Sequence, residues 1–169
     1  IDADRAEHLL DVVGADSRMV PGGSVANTLD GLSRLGHRAA FLGRVADDGV
    51  GQRYAADMQA AGTAFPNPPV AGAGLPSSRS IIMVTPDGER SMNTYLGTSG
   101  DLTGDEVAPD LFTGGPWLFL EGYLFDKEQG KQAFLKAAAL CHEAGGQAGI
   151  ALSDPFCVDR HRDDFRHLV

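Results

Sequence analysis

Cysteine is nearly absent from this chain. Cys141 and Cys157 are its two, in no Cys-x-x-Cys spacing, so a disulfide scaffold is excluded and both read as free thiols of an intracellular protein. Positive charge is also short, with 14 Lys and Arg against 23 Asp and Glu and a formal net charge of -9. Nucleic acid and anionic membrane surfaces both demand clustered Lys and Arg, so neither is expected as a partner, although a local basic pocket for a phosphate is still permitted. No signal or membrane segment and no internal repeat is visible. The expected compartment is the cytoplasm. What is left is 169 residues, 43% hydrophobic, with 22 Gly and 9 Pro, the size and composition of one α/β domain with an ordinary core.

Chemistry concentrates in Gly22-Gly23-Ser24-Val25-Ala26-Asn27, where a glycine pair runs into a predicted helix. Two residues without Cβ let a ligand sit against the backbone, and a helix N-terminus offers unpaired N–H donors beside it. Ser24 is the expected N-cap of a helix over residues 25–35, with Val25, Leu29 and Leu32 as its apolar stripe and Gly36 as its stop. Asn27 then lies in the first turn, where its amide offers both a donor and an acceptor to a polyhydroxylated compound. Sugar recognition is the chemistry suggested. The plainer alternative is a loop, a cap and a solvated asparagine.

After this helix, residues 39–45 have a short buried-strand pattern, followed by the turn Asp47-Asp48-Gly49 and a second amphipathic helix ending at Ala61-Gly62. The succession resembles the PfkB family of carbohydrate and nucleoside kinases, which includes ribokinase and adenosine kinase. The matching residues are Gly22, Gly23, Asn27, Leu35-Gly36, Gly43, Asp47-Asp48, Gly51 and Ala61-Gly62. Val25 and Leu29 depart from the family's usual small residues, and Ala46 stands where glycine is frequent.

Upstream, the chain begins abruptly at Ile1 on a helix capped by Asp2 or Asp4, with His8 on its surface. Downstream, residues 63–76 read as a loop or irregular strand, and residues 78–97 as a hairpin turning at Pro86-Asp87-Gly88. Alternation puts Met92, Thr94 and Leu96 on one face of the return arm, as core or as a ligand surface. The resemblance favours the second use. It implies that Met92, Thr94 and Leu96 line the substrate pocket and that Arg90 lies towards the transferred phosphate. Gly88-Glu89-Arg90-Ser91-Met92-Asn93-Thr94-Tyr95-Leu96-Gly97 is most similar to the bacterial adenosine-kinase-like branch.

Residues 101–110 suggest a short docking helix through Leu102, Val107 and Leu111. Trp117-Leu118-Phe119-Leu120 is an apolar run of the kind buried in a parallel sheet. Glu121 and Tyr123 emerge at its carboxyl end, where open α/β sheets bind ligands. Glu121 is a candidate acceptor for sugar hydroxyls, or a cap for the next turn. Residues 127–144 form a predicted helix with Phe134, Leu135, Ala138 and Cys141 or His142 at helical spacing. Cys141 and His142 point about 100° apart and cannot pair in catalysis, so core cysteine and surface histidine are expected. A strand over residues 148–152 leads to Ser153-Asp154-Pro155-Phe156, whose role stays open. The interleaved arginines of residues 159–167 argue against a metal site there and for a solvated helix, after which Leu168-Val169 opens an expected strand.

The resemblance implies a ribokinase-like α/β fold, with a mainly parallel sheet flanked by helices and part of a small β lid, all within one domain over residues 1–169. It implies an ATP-dependent kinase acting on a hydroxymethyl group of a sugar or nucleoside, with Mg2+ as a second cofactor. On that reading Gly22, Gly23, Ser24, Asn27, Met92, Thr94, Leu96, Glu121 and Tyr123 bind substrate. The general base, the metal site and the nucleotide pocket are expected beyond Val169, so the chain is expected to lack both ends of a family member. A monomer or a homodimer is compatible with the lid. Two alternatives are a non-catalytic sugar or nucleoside binder and a dinucleotide-dependent oxidoreductase. The latter wants Gly-x-Gly-x-x-Gly directly after a strand, and here the third glycine is missing.

Overall fold

Asp2 starts the first helix, α1 (Ala3–Val13), by accepting the Arg5 N–H at 2.9 Å. The computed structural model describes residues 1–14 and 17–168. Its chain divides into two units, Ile1–Ser99 and Gly100–Val169.

In the first unit, α1 buries Ala6 and Leu9 against a hairpin formed by β3 (Arg79–Val84) and β4 (Arg90–Tyr95). The strands are antiparallel with Ile82 opposite Met92. Side chains alternate across a strand, so Ile81, Met83 and Tyr95 face α1 while Ile82, Val84 and Met92 stay exposed. The expected turn is present. Gly88 sits at φ 88°, and its N–H donates to the Thr85 carbonyl at 2.8 Å.

The remainder of this unit is built from α2 (Ser24–Arg34), β1 (Ala39–Ala40), α3 (Gly49–Ala60) and β2 (Thr63–Ala64). Strands β1 and β2 pair in parallel. The strand expected over residues 39–45 is only two residues long by ladder pairing, because beyond Ala40 the bonds become single: Val70 donates to Val45 at 2.9 Å and Asp47 to Val70 at 3.0 Å. Helix α2 also departs from expectation. Gly23, not Ser24, is its N-cap, and Ser24 is already helical. Ala26 is the buried residue of α2, packing with Met58 and Phe65, whereas Val25 and Leu29 are half-buried and Leu32 is 38% exposed. The small side chains Ala26 and Ser33 face inward, the latter bonded to buried Thr63 of β2 at 2.9 Å.

Helix α3 begins at Asp48, whose carboxylate accepts the Gly51 N–H at 2.7 Å and the Ser77 N–H at 2.8 Å. The Ser77 hydroxyl donates to the same carboxylate at 2.9 Å. It also accepts the Ala46 N–H at 3.0 Å. One side chain therefore caps a helix and fastens the strand that enters the hairpin.

The second unit is a βαβ arrangement: β5 (Trp117–Glu121), α4 (Glu128–Glu143) and β6 (Gln147–Ala151), the two strands parallel, followed by α5 (Pro155–Leu168). Its core is Leu120, Phe125, Phe134, Cys157 and Phe165. Burying a large apolar side chain contributes about 1.5–3 kcal/mol, so these few residues carry the unit. Several expectations change here. Residues 101–110 make short 3-10 turns rather than one helix, though Leu102 and Val107 are buried as foreseen. Trp117 is 79% and Phe119 50% exposed, since α4 and α5 cover only the face carrying Leu118, Leu120 and Ile150. On α4 the inward positions belong to Ala133, Phe134, Ala137 and Cys141, and Leu135 is exposed, because the small alanines let the helix lie close to the strands. His142 is on the surface.

The charged face of helix α5 is solvated, with Asp159, Arg160, Arg162, Asp163, Arg166 and His167 exposed. The helix buries Cys157 and Phe165, and His161 lies within 2.7 Å of an Asp126 oxygen that Arg160 also holds at 3.0 Å. Leu168 ends this helix instead of opening a strand, and Val169 lies outside the described residues.

Candidate functional site

The glycine pair is held from behind by aromatic packing. Phe41 stacks on Phe65 with centroids 5.9 Å apart, and Tyr54 meets Phe65 edge-on at 5.9 Å. That cluster pins Tyr54, whose hydroxyl donates a long 3.4 Å bond to the Gly22 carbonyl, and whose pKa burial pushes up to about 12. In front of the glycines there is room. A Cβ at Gly22 would meet nothing within 4 Å, and one at Gly23 only Ala26 Cβ at 4.0 Å. Gly23 has φ 108° and ψ 140°, a backbone conformation that side chains avoid and glycine tolerates.

Asn27 follows one turn into α2, its N–H donating to the Gly23 carbonyl at 2.9 Å. It is exposed, and it lines a cleft of about 350 Å³ with Pro21, Asp30, Arg34, Asp57 and Met58. Asp30 donates nothing there and accepts from Arg34 Nε at 2.8 Å through one oxygen, while its other oxygen is buried without a hydrogen-bond partner. An amide and an acceptor-rich carboxylate on one wall suit a ligand that brings hydroxyl donors.

The hairpin supplies a second group. Met92 and Leu96 are 62% and 55% exposed, beside Ile82 and Val84 on the face away from α1. Thr94 shares this face, its hydroxyl 3.0 Å from that of Ser80 across the ladder. Arg90, exposed at the start of β4, stands opposite Val84 next to the turn.

Glu121 and Tyr123 form a third group, at the carboxyl ends of β5 and β6. The Ser153 hydroxyl donates to Glu121 Oε1 and accepts the Tyr123 N–H at 3.1 Å. Asp154 caps α5 by accepting the Cys157 N–H at 2.7 Å, with Pro155 in the first helical position, and its second oxygen accepts from the Tyr123 hydroxyl at 2.8 Å. Those two bonds hold the Asp154 carboxyl below the usual range. The Asp154 bond pushes the Tyr123 pKa up to about 12. Sequence reasoning passed over Tyr54, which carries no local signal, and it placed Ser153 at a strand end without giving it a role. The strand that an oxidoreductase needs before its glycines is absent from residues 17–23.

The fold is ribokinase-like α/β, with parallel strand pairs joined through helices and an antiparallel hairpin. The chain belongs to the pfkB family of carbohydrate kinases, whose profile matches residues 1–169. The adenosine kinase of Sinorhizobium meliloti is 42% identical, with a TM-score of 0.89 over 99% of this chain and 51% of that one. A protein of Rhizobium etli CFN 42 described as a probable sugar kinase is 40% identical, with a TM-score of 0.89 over 99% of this chain and 50% of its own. Among curated relatives, fructokinase-1 of Zea mays is 32% identical over 127 residues, which are 74% of this chain and 39% of the maize protein. The chain thus spans about half, or less, of the length of these relatives.

Proposed function

We propose that this chain is the acceptor-binding part of an ATP-dependent kinase that phosphorylates a hydroxymethyl group of a nucleoside or sugar, adenosine-like or ribose-like. The observation that carries the reading is the open space in front of Gly22 and Gly23 at the start of α2, with Asn27 one turn in. On this reading the backbone at Gly22 and Gly23 approaches the ribose, and Ser24 and Asn27 hydrogen-bond its hydroxyls. In the second unit, Glu121 is an acceptor for substrate hydroxyls at the carboxyl end of β5, with Tyr123 beside it. Binding energy spent here fixes the attacking hydroxyl in place, which is most of what phosphoryl transfer asks of a protein. The hairpin face of Met92, Thr94 and Leu96 covers the acceptor and excludes water, and Arg90 neutralises the phosphoryl group. A face made of Ile82, Val84, Met92 and Leu96 suits a flat base better than a free sugar, which supports a nucleoside.

Membership of a carbohydrate-kinase family implies ATP as donor. Among the described residues no group of three or more His, Cys, Asp or Glu side chains is placed to hold a metal. No described helix is long and apolar enough to cross a membrane. The deciding experiment is ADP release by the complete gene product with adenosine, ribose and fructose in turn. Turnover with adenosine above the other two is expected. Binding of adenosine without ADP release would replace this reading with that of a nucleoside sensor.

A further inference from the structure

We infer that Ser153 is a positioning residue that aims the Glu121 carboxylate at the acceptor, an inference that rests on the acceptor-binding reading above. Ser153 is the only non-glycine residue at positive φ among the described residues, at 70°. A side chain held in that region is strained, and such positions persist where the surrounding structure over-determines them. Glycine would fit the backbone better. What serine adds is a hydroxyl, and all of its local bonding serves the end of β5: it donates to Glu121 Oε1 and accepts the Tyr123 N–H.

The neighbouring residues are shaped around this contact. Gly122 lies between the two partners, and a Cβ there would stand 2.8 Å from the Ala151 carbonyl and 3.0 Å from the Ser153 hydroxyl. Only a bare backbone at 122 lets Ser153 reach across. On its other side Ser153 is followed by Asp154, clamped by the Cys157 N–H and the Tyr123 hydroxyl. The loop after β6 is thereby tied at two consecutive residues to the loop after β5. A carboxylate held by a bonded hydroxyl keeps its orientation, and that pre-orientation lowers the cost of engaging a ligand hydroxyl.

Two variants separate the hydroxyl from the backbone. Ser153→Gly removes the hydroxyl and relieves the strain, and Ser153→Ala removes the hydroxyl alone. In steady-state kinetics of the complete gene product, both are expected to raise KM for adenosine about tenfold while KM for ATP stays within about twofold. The glycine variant should melt at or above the wild-type temperature, which a purely structural role would also allow, so the KM split is the decisive reading. Combined with Glu121→Gln, which should itself raise KM for adenosine, Ser153→Gly should add no further increase. A wild-type KM in Ser153→Gly while Glu121→Gln is impaired overturns the positioning role alone. A wild-type KM in Glu121→Gln, or a wild-type protein without phosphorylating activity, overturns the reading on which it rests.

Discussion

At the scale of single residues, adjacent glycines answer to different physics. Gly22 has an ordinary φ and open space where a Cβ would go, so nothing in the fold demands glycine there. Gly22→Ala should therefore melt like the wild type yet raise KM for the acceptor about tenfold or more, because its methyl occupies the ligand's place. An unchanged KM would show that nothing sits against Gly22. Gly23→Ala should instead lose about 1–3 kcal/mol, read from urea midpoints, because its φ of 108° is closed to side chains. Gly51 is a third case. A Cβ there would stand 2.1 Å from the Ala46 carbonyl and 2.7 Å from the Ser77 hydroxyl, so Gly51→Ala should cost about 1–3 kcal/mol with no effect specific to substrate. The sequence pattern marked Gly51 as a matched position without giving its reason. That reason is first the Ala46 carbonyl and then Ser77, which is bonded to Ala46 from 31 positions away, a pairing that leaves no local trace.

At the scale of elements, local rules were legible wherever a residue acts on its own neighbours. The turn around Gly88 and the stop at Gly36 with φ 86° follow from short-range chemistry, and so do the caps: Asp2 is the one of the two candidates Asp2 and Asp4 that starts α1, and Asp48 of the expected turn starts α3. Local rules failed where packing decides. Ser24 was a plausible cap by type, but the chain enters α2 through the unusual backbone of Gly23, which moves the cap back by one residue. Trp117 and Phe119 read as buried because a continuous apolar run says nothing about how many faces of a strand are covered. Asp48 offers the sharpest test of an element boundary. Partial burial pushes its pKa up, but hydrogen bonds from Ser77 and Gly51 outweigh this and hold the carboxyl below its ordinary range. A depressed folded pKa gives stability that is present above the unfolded value of about 4 and is lost as pH falls through the folded one. Asp48→Ala should cost about 1–2 kcal/mol at pH 7, and the gap to wild type in urea midpoints should narrow between pH 4 and pH 2. A gap that stays constant across that window would mean that charge contributes nothing to the cap.

At the scale of the whole molecule, the candidate residues fall in three separate places, an α2 start, a hairpin face and the ends of β5 and β6, and each was named from the sequence by a different route. The glycine pair and strand ends followed from general rules about where backbones admit ligands. The hairpin face needed the family resemblance, since exposed Met92 and Leu96 would otherwise pass as ordinary surface. Binding ties these pieces to stability, because a ligand that prefers the folded chain raises its unfolding free energy by RT ln(1 + [L]/Kd). Adenosine at a hundred times its Kd should therefore add about 2.7 kcal/mol, which for a chain of this size raises the melting temperature by roughly 5–11 °C. Fructose at the same concentration should move it little, because a free sugar gains no contact from the apolar hairpin face. Met92→Asp, at a position 62% exposed, should leave the melting temperature of the free protein unchanged while shrinking the adenosine shift. Were Met92→Asp to preserve the full shift, the hairpin would have no part in recognition. The specificity would then have to come from residues outside the hairpin.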